Sequence, residues 1–333
     1  MTSTSRLGWP VTRRHRILLL SVGLALSALF AYLAVRGVRW GELKQGLRES
    51  NYWWVVPATA LLYLAQGLRA LRWRYLFAAP TRPAYGPVLE ATLLGQAFNN
   101  VLPARAGEAA RIVVLNRAAG TSVVEATATV LVERVFDVLC LLGLLFVLVP
   151  WLPHVAWLHA AAAVAIALTA ATLLAGFVLF RWGERPFRVL LRPLARLPFL
   201  TEERVDAAAT SVARGARALH DWRLALLAVV LTTVSWLVLS ASSWALLQGF
   251  DLPHTFLLGI LVTIAAGLSF VIPSSPGGVG VFEAAALVAL ATYDVPRGEA
   301  LSYAIVLHAV NFFAMVVAGG LVLLWTRASA AAG

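Results

Sequence analysis

Apolar residues fall in long runs separated by short polar stretches. Seven runs have the length of a bilayer crossing: Ile17 to Val35, Trp53 to Leu71, Thr129 to Val149, Val155 to Phe180, Leu224 to Leu247, Thr255 to Ile272 and Leu301 to Trp325. Two more apolar segments, Val88 to Pro103 and Val279 to Thr292, are shorter and bounded by Pro and Gly. A complete crossing would be marginal for either, so the pattern predicts re-entrant hairpins or broken helices there. The fold class expected is all-α, a polytopic transmembrane helical bundle with about 7-8 spans. The stretches Gly95 to Glu108 (GQAFNNVLPARAGE) and Gly267 to Glu283 (GLSFVIPSSPGGVGVFE) each pass through Gly, Phe and Pro to a carboxylate. Two such breaks in apolar sequence suggest two related halves, with an inverted repeat as one form they can take.

Composition agrees with a single integral membrane domain over residues 1–333. The chain is 60% hydrophobic and 13% charged, with a mean hydropathy of +0.81. Its longest polar segment, Arg181 to Asp221, is too short for a soluble enzyme domain. The formal charge of +11 sits in short runs beside apolar spans, which fits membrane orientation and anionic lipid headgroups rather than nucleic acid. Met1 to Arg16 carries four Arg, Arg69 to Arg82 four more, and Arg181 to Arg223 nine against five acidic residues. These basic segments, including an N-terminus over residues 1–16 and a loop over residues 181–223 between the halves, are expected on the cytoplasmic side of the cell membrane. Only Arg36 to Asn51, with four basic and two acidic residues, fits that scheme poorly. The segment Arg185 to Arg223 alternates Arg with apolar residues and suits either an anionic leaflet or a solvated loop. Trp53, Trp54, Trp151, Trp157 and Trp325 lie at span ends, where indole favours the interface.

Several classes of chemistry lose support. Cys140 is the lone cysteine, expected to serve packing, and leaves no disulfide or cysteine metal cluster. Lys44 is the sole lysine and is followed by Gln45, so there is no P-loop. His154, His159 and His254 lack the grouping of a metal site. No nucleophile elbow or H-E-x-x-H occurs, and neither a metal nor another cofactor is expected.

The polar residues inside apolar sequence carry the functional expectation. Glu108 and Arg111 share a helical face, with Arg105 before them; they fit either a headgroup contact at a cavity mouth or a structural pair. Glu133 and Asp137 are one turn apart with Arg134 beside them. If their helix ends near Val149, Asp137 lies about 18 Å from that end, some ~12 Å inside a ~30 Å core. Charge at that depth needs a partner or a wet cavity, so these residues mark a pathway or a buried interhelical salt bridge. Gly277, Gly278 and Gly280 open a helix at whose start bare N–H groups could meet an anion. Glu283 sits in that helix's first turn, where capping alone would also place a carboxylate. Asn99 and Asn100 precede Pro103 and suit broken backbone or a cavity lining. Gln66 and Arg69 lie at the end of the second span, where Arg69 is expected to snorkel. His308 and Asn311 share one face of the last span, for proton relay or helix–helix hydrogen bonding.

Leu94 to Arg111 (LGQAFNNVLPARAGEAAR), Val132 to Val138 (VERVFDV) and Pro276 to Glu283 (PGGVGVFE) together resemble the lysylphosphatidylglycerol synthase transmembrane-region family. That is the flippase-like domain also found as the first half of the bacterial multiple peptide resistance factor. The resemblance runs from about Ile17 to Trp325. It implies movement of aminoacylated phosphatidylglycerol, or roles in glycolipid and polyprenyl-phosphate pathways for stand-alone relatives. It implies Pro103, Glu108, Arg111, Glu133, Arg134, Asp137, Gly277, Gly278, Gly280 and Glu283 as site positions. Because the chain ends at Gly333 without an aminoacyl-transfer domain, lipid aminoacylation by this polypeptide is not expected.

The leading expectation is a lipid flippase for an anionic or zwitterionic (glyco)phospholipid or polyprenyl-phosphate-linked lipid, transporter-like rather than enzymatic. Arg111 and Arg134 would bind phosphate, while Glu108, Glu133, Asp137 and Glu283 would meet an amine or carry protons. Two alternatives stand beside it. One is a membrane-embedded transferase with Glu133 or Asp137 as base; the other is a non-catalytic subunit partnering a lipid-modifying or glycosyltransferase enzyme in envelope biosynthesis.

Overall fold

Backbone polar groups must be satisfied within the chain wherever lipid surrounds it, and apolar runs of this length do so as helices. The computed structural model describes residues 13–102, 106–152, 222–269 and 275–332, and among these no strand occurs. The helices are α1 (Arg13–Val35), α2 (Trp40–Glu49), α3 (Val55–Tyr75), α4 (Tyr85–Val101), α5 (Ala106–Ala119), α6 (Val123–Leu148), α7 (Trp222–Gly249), α8 (Phe256–Ser269), α9 (Val281–Ala291) and α10 (Arg297–Ala332). The expected span Val155 to Phe180, the basic N-terminus up to residue 12 and the basic loop up to residue 221 lie outside the described residues.

Among the described residues three helical segments are long and apolar enough to cross a bilayer: Tyr52–Tyr75, Trp222–Gly249 and Arg297–Ala328. α6 has the length at 26 residues, but Glu133, Arg134 and Asp137 interrupt its apolar run. The span expected over Thr255 to Ile272 is described as far as Ser269, where α8 accounts for 14 residues, about 21 Å of helix. Arg36 to Asn51, which fitted no loop scheme, forms the amphipathic α2; Asn51 then accepts from Trp53 N–H at 3.1 Å and caps the next turn.

The short helices pair. α4 and α5, of 17 and 14 residues, run antiparallel, with Gly95 facing Arg111 and Asn99 facing Gly107. α8 and α9, of 14 and 11 residues, lie side by side and with Phe30 of α1 enclose an apolar cavity lined by Ala265, Leu268, Val281 and Ala285. The long helices frame them. α3 and α7 pack against each other along their lengths, joined where Ser242 Oγ donates to the Ala58 carbonyl at 2.7 Å and Asn51 N–H to the Gly249 carbonyl at 2.7 Å. α7 packs on α8 through Ser243 and Thr263, whose hydroxyls are 2.9 Å apart. α4 packs on α10 where Ala97 meets Gly319. The order in each half is thus long helix, two short paired helices, long helix.

Close approach between α4 and α5 depends on glycine. A Cβ on Gly107 would stand 1.9 Å from the Gly95 carbonyl oxygen. Gly143 in α6 has nothing within 4 Å of that position. Gly107→Ala is therefore expected to destabilise the detergent-solubilised protein by about 1–3 kcal/mol or more, because the pair must separate. Gly143→Ala should leave it unchanged or gain up to about 1 kcal/mol from lower unfolded-chain entropy. Thermal unfolding midpoints of the two variants check this, and equal midpoints would refute the tight pairing.

Candidate functional site

Two polar clusters sit inside the apolar bundle. The larger is built by α3, α5, α6 and α7. Arg72 of α3 has 0% exposure, yet its Nη1 donates to Asp137 Oδ1 at 2.6 Å and to Thr232 Oγ1 at 2.9 Å. Its Nη2 lies 3.1 Å from Glu133 Oε1. Trp236 Nε1 donates to Asp137 Oδ1 at 3.1 Å, closing the far side of that carboxylate. Glu133 also meets Arg111 Nη1 at 3.3 Å and Arg134 Nη2 at 2.6 Å. Arg111 Nη2 reaches Glu108 at 2.7 Å, and Arg134 Nη2 reaches Asp137 Oδ2 at 3.2 Å. Aromatic faces hold two of the cations: Arg111 lies 4.6 Å from the Trp73 ring centroid and Arg69 4.4 Å from that of Trp236.

Helix geometry explains the convergence. On α6, Glu133 and Asp137 recur at i and i+4 and so share one face. On α3, Arg69 and Arg72 recur at i and i+3 toward the same region, and Trp73 is anchored by its Nε1 donating to Thr129 Oγ1 at 2.9 Å. Exposure is graded. Glu133, Asp137 and Arg111 are buried, and the side chains of Glu108 and Arg134 are 24% and 40% exposed. The cluster therefore has a closed end at Arg72 and an open end at Arg134. Among the described residues it gathers four guanidinium groups, Arg69, Arg72, Arg111 and Arg134, against three carboxylates, Glu108, Glu133 and Asp137. Arg69 Nε and Nη2 are buried and have no hydrogen-bond partner among the described residues.

The smaller cluster joins the turn before α9 to α10. Gly277, Gly278 and Gly280 take φ of 73°, 76° and 87°, a region that disfavours side-chain-bearing residues. Gly280 N–H donates to Glu283 Oε2 at 2.6 Å, so capping does place this carboxylate. Glu283 Oε1 then lies 2.6 Å from His308 Nδ1, and His308 Nε2 lies 3.0 Å from the Gly277 carbonyl. The Gly278 and Gly280 amides, expected as bare donors, are committed within the turn to Ser275 and Glu283.

α4 connects the clusters. Gly95 abuts Arg111, and five residues on, about 7.5 Å along the axis, the Asn100 carbonyl lies 3.3 Å from where a Cβ on Gly277 would be. The Asn99 side-chain oxygen is buried beside Gly107. Asn311 turns back to donate to the Leu307 carbonyl at 2.8 Å. Pro103 and Arg105 lie outside the described residues, as do His154 and His159. His254 sits in the loop before α8, with Nδ1 3.1 Å from the Leu252 carbonyl. Cys140 packs near Thr233, its Sγ 3.8 Å from Oγ1.

Two residues were misjudged from sequence. Arg72 was counted only as part of a basic flank, and Arg69 as a snorkelling residue; both point inward to the α6 carboxylates and Trp236. Their i, i+3 spacing beside Trp73, inside an apolar helix that continues to Tyr75, was the available signal.

A family model for the lysylphosphatidylglycerol synthase TM region matches residues 20–319. The chain is similar to glycosyltransferase AglD of Haloferax volcanii, with 27% identity over 94% of this chain and 56% of that protein. It thus spans little more than half the length of that relative. The UPF0104 membrane protein MJ1078 of Methanocaldococcus jannaschii is 23% identical over 67% of this chain and 92% of its own length. The inner membrane protein YbhN of Escherichia coli is 30% identical over 28% of this chain and 29% of its own.

Removing one member of a buried ion pair leaves a charge without compensation. Arg72→Met is expected to cost about 3–5 kcal/mol, seen as a large fall in the thermal midpoint of the purified protein. Arg72→Met combined with Asp137→Leu should recover part of that loss, because the most closely held carboxylate goes with its partner. A double variant less stable than the sum of its singles would refute the pairing as drawn.

Proposed function

Because the chain belongs to the lysylphosphatidylglycerol synthase transmembrane-region family, we propose that it is a flippase that carries an anionic or zwitterionic phosphate-bearing lipid, phospholipid, glycolipid or polyprenyl-linked, across the cell membrane. The observation that carries this reading is the uneven charge of the larger cluster. Among the described residues three guanidinium groups pair with three carboxylates, and the fourth, Arg69, lies over Trp236 among apolar helices where a charge without a counter-ion is costly. A lipid phosphate supplies the missing negative charge and accepts several N–H bonds at once. Arg134 and Glu108 at the open end receive the headgroup, with Arg111 behind them and Arg69 as the inner donor. An amine-bearing headgroup would meet Glu108. The acyl chains stay in the bilayer while the headgroup passes.

In this reading α4–α5 and α8–α9 are re-entrant hairpins entering from opposite faces, the two halves form an inverted repeat, and the N-terminus is cytoplasmic. Arg74 and Arg82, the arginines of the stretch Arg69 to Arg82 that do not turn into the cluster, support a cytoplasmic end of α3. The antiparallel α3 and α7, each followed by a short pair, support the repeat.

The name of the Haloferax volcanii relative, a glycosyltransferase, favours a membrane-embedded transferase as the second reading. Against it, Glu133 and Asp137 are each held by two or more guanidinium groups, so neither offers a free oxygen to take a proton from an acceptor hydroxyl.

The test is reconstitution into vesicles containing acyl-NBD phosphatidylglycerol, with dithionite quenching of the outer leaflet. The wild-type protein should render both leaflets accessible, and Arg69→Gln and Arg134→Ala should each slow this by roughly tenfold or more, the worth of one charged contact. Rates equal to wild type in both variants would defeat the assignment.

A further inference from the structure

His308 makes contacts that fix how many protons it shares with Glu283. The Gly277 carbonyl, 3.0 Å from Nε2, is an acceptor only, so Nε2 carries a hydrogen. The 2.6 Å contact between Nδ1 and Glu283 Oε1 also needs a hydrogen, borne either by the imidazole or by the carboxyl group. Both arrangements hold one proton more than a neutral imidazole beside a carboxylate. Without it, two lone pairs face each other at hydrogen-bond distance, and one of the two contacts must break.

That proton joins the turn to α10 by hydrogen bonds, beside the packing of Gly277 on Phe312. On one side are Gly277 and Gly280 of the turn, the latter donating to Glu283 Oε2. On the other is α10, where His308 is 9% exposed and stacks on Phe282 with ring centroids 4.6 Å apart. The turn bears on α1, where Ser275 N–H donates to Ser27 Oγ at 2.7 Å, and on the end of α4 at Asn100.

The surrounding elements bring few competing charges. α8 has no titratable residue and α9 has only Glu283. α4 adds Tyr85, bonded to the Gly67 carbonyl, and Glu90, more than two turns before Asn100. Over residues 24–35, α1 contributes Tyr32, which is exposed; its first turns contain Arg13, Arg14, His15 and Arg16, at least ~16 Å of helix before Ser27. On α10, Tyr303 donates to the Ser243 carbonyl, Arg297 to carbonyls at the end of α1, and Glu299 and Arg327 lie more than two turns from His308.

We propose that Glu283 and His308 form a binding site for one exchangeable proton, which fastens the 275–280 turn to α10 and whose release frees the turn, coupling lipid movement to protons. The coupling rests on the transport reading above; the proton site itself does not. Glu283→Gln is the informative variant. Its amide oxygen accepts from Gly280 N–H and its NH₂ donates to Nδ1, reproducing the fastened pattern with no proton to release.

The experiment has two readouts on the full chain. In the first, ¹⁵N-histidine spectra in lipid nanodiscs identify the His308 signal by its loss in His308→Gln. The signal should shift between about pH 5 and about pH 9 in the wild type and stay fixed in Glu283→Gln. In the second, acyl-NBD phosphatidylglycerol flipping should rise roughly tenfold across that range in the wild type and by less than about twofold in Glu283→Gln. A wild-type His308 signal that does not move, or one that titrates equally in Glu283→Gln, overturns the proton site. Flipping that is equally pH-dependent in both proteins overturns the coupling. Wild-type flipping absent at every pH defeats the transport reading and the coupling with it, while the titration is judged separately.

Discussion

A guanidinium group with no access to solvent, packed between apolar helices, constrains everything around it. Arg72 cannot be left unpaired, and it meets that condition by reaching Asp137 and Glu133 on α6 and Thr232 on α7. α3 and α6 are thereby fixed in rotation as well as position, because a turn of either by one residue would strand a charge, and α7 is held to them by hydrogen bonds. Hydrophobic burial cannot do this, since lipid tails are as apolar as the side chains they replace. The electrostatic contact thus determines which faces of α3 and α6 point inward.

The short helices are held in another way. α4 and α5 touch through Gly95 and Gly107, and the turn before α9 touches α1 through Gly280, whose Cβ position lies 2.5 Å from the Ser27 carbonyl. These are contacts of shape rather than charge. Helix ends packed among apolar neighbours leave terminal N–H and C=O groups that need partners. Glu283 meets part of that need at α9 by accepting from Gly280 N–H.

Much of this was legible in the sequence, and the parts that were not share a cause. The two broken segments, the i, i+4 carboxylates on α6 and the Glu283 turn all announced themselves as polar or glycine-rich residues where apolar ones were expected. Arg69 and Arg72 did not, because near the end of an apolar run an arginine that faces inward has the same neighbours as one that reaches for headgroups. Only the position of Trp236, contributed by a helix more than 150 residues later in the chain, distinguishes the two for Arg69. Composition reports where a segment can reside, whereas Pro and Gly decide where it turns.

The two clusters differ in how easily they can change. In the larger, Glu133 is shared among three guanidinium groups and Asp137 between two, so loss of one contact leaves others in place. In the smaller, one imidazole bridges one carboxylate and one carbonyl, and a single proton decides whether both contacts exist. A molecule that must open without unfolding needs this asymmetry: a frame whose charges are over-determined, and a turn held by few bonds. α4 carries the consequence from one to the other, since its end at Asn100 rests on the turn and its Gly95 rests on Arg111. Movement of the turn therefore bears on Arg111 through one and a half turns of helix, while Arg72 keeps the surrounding long helices where they are.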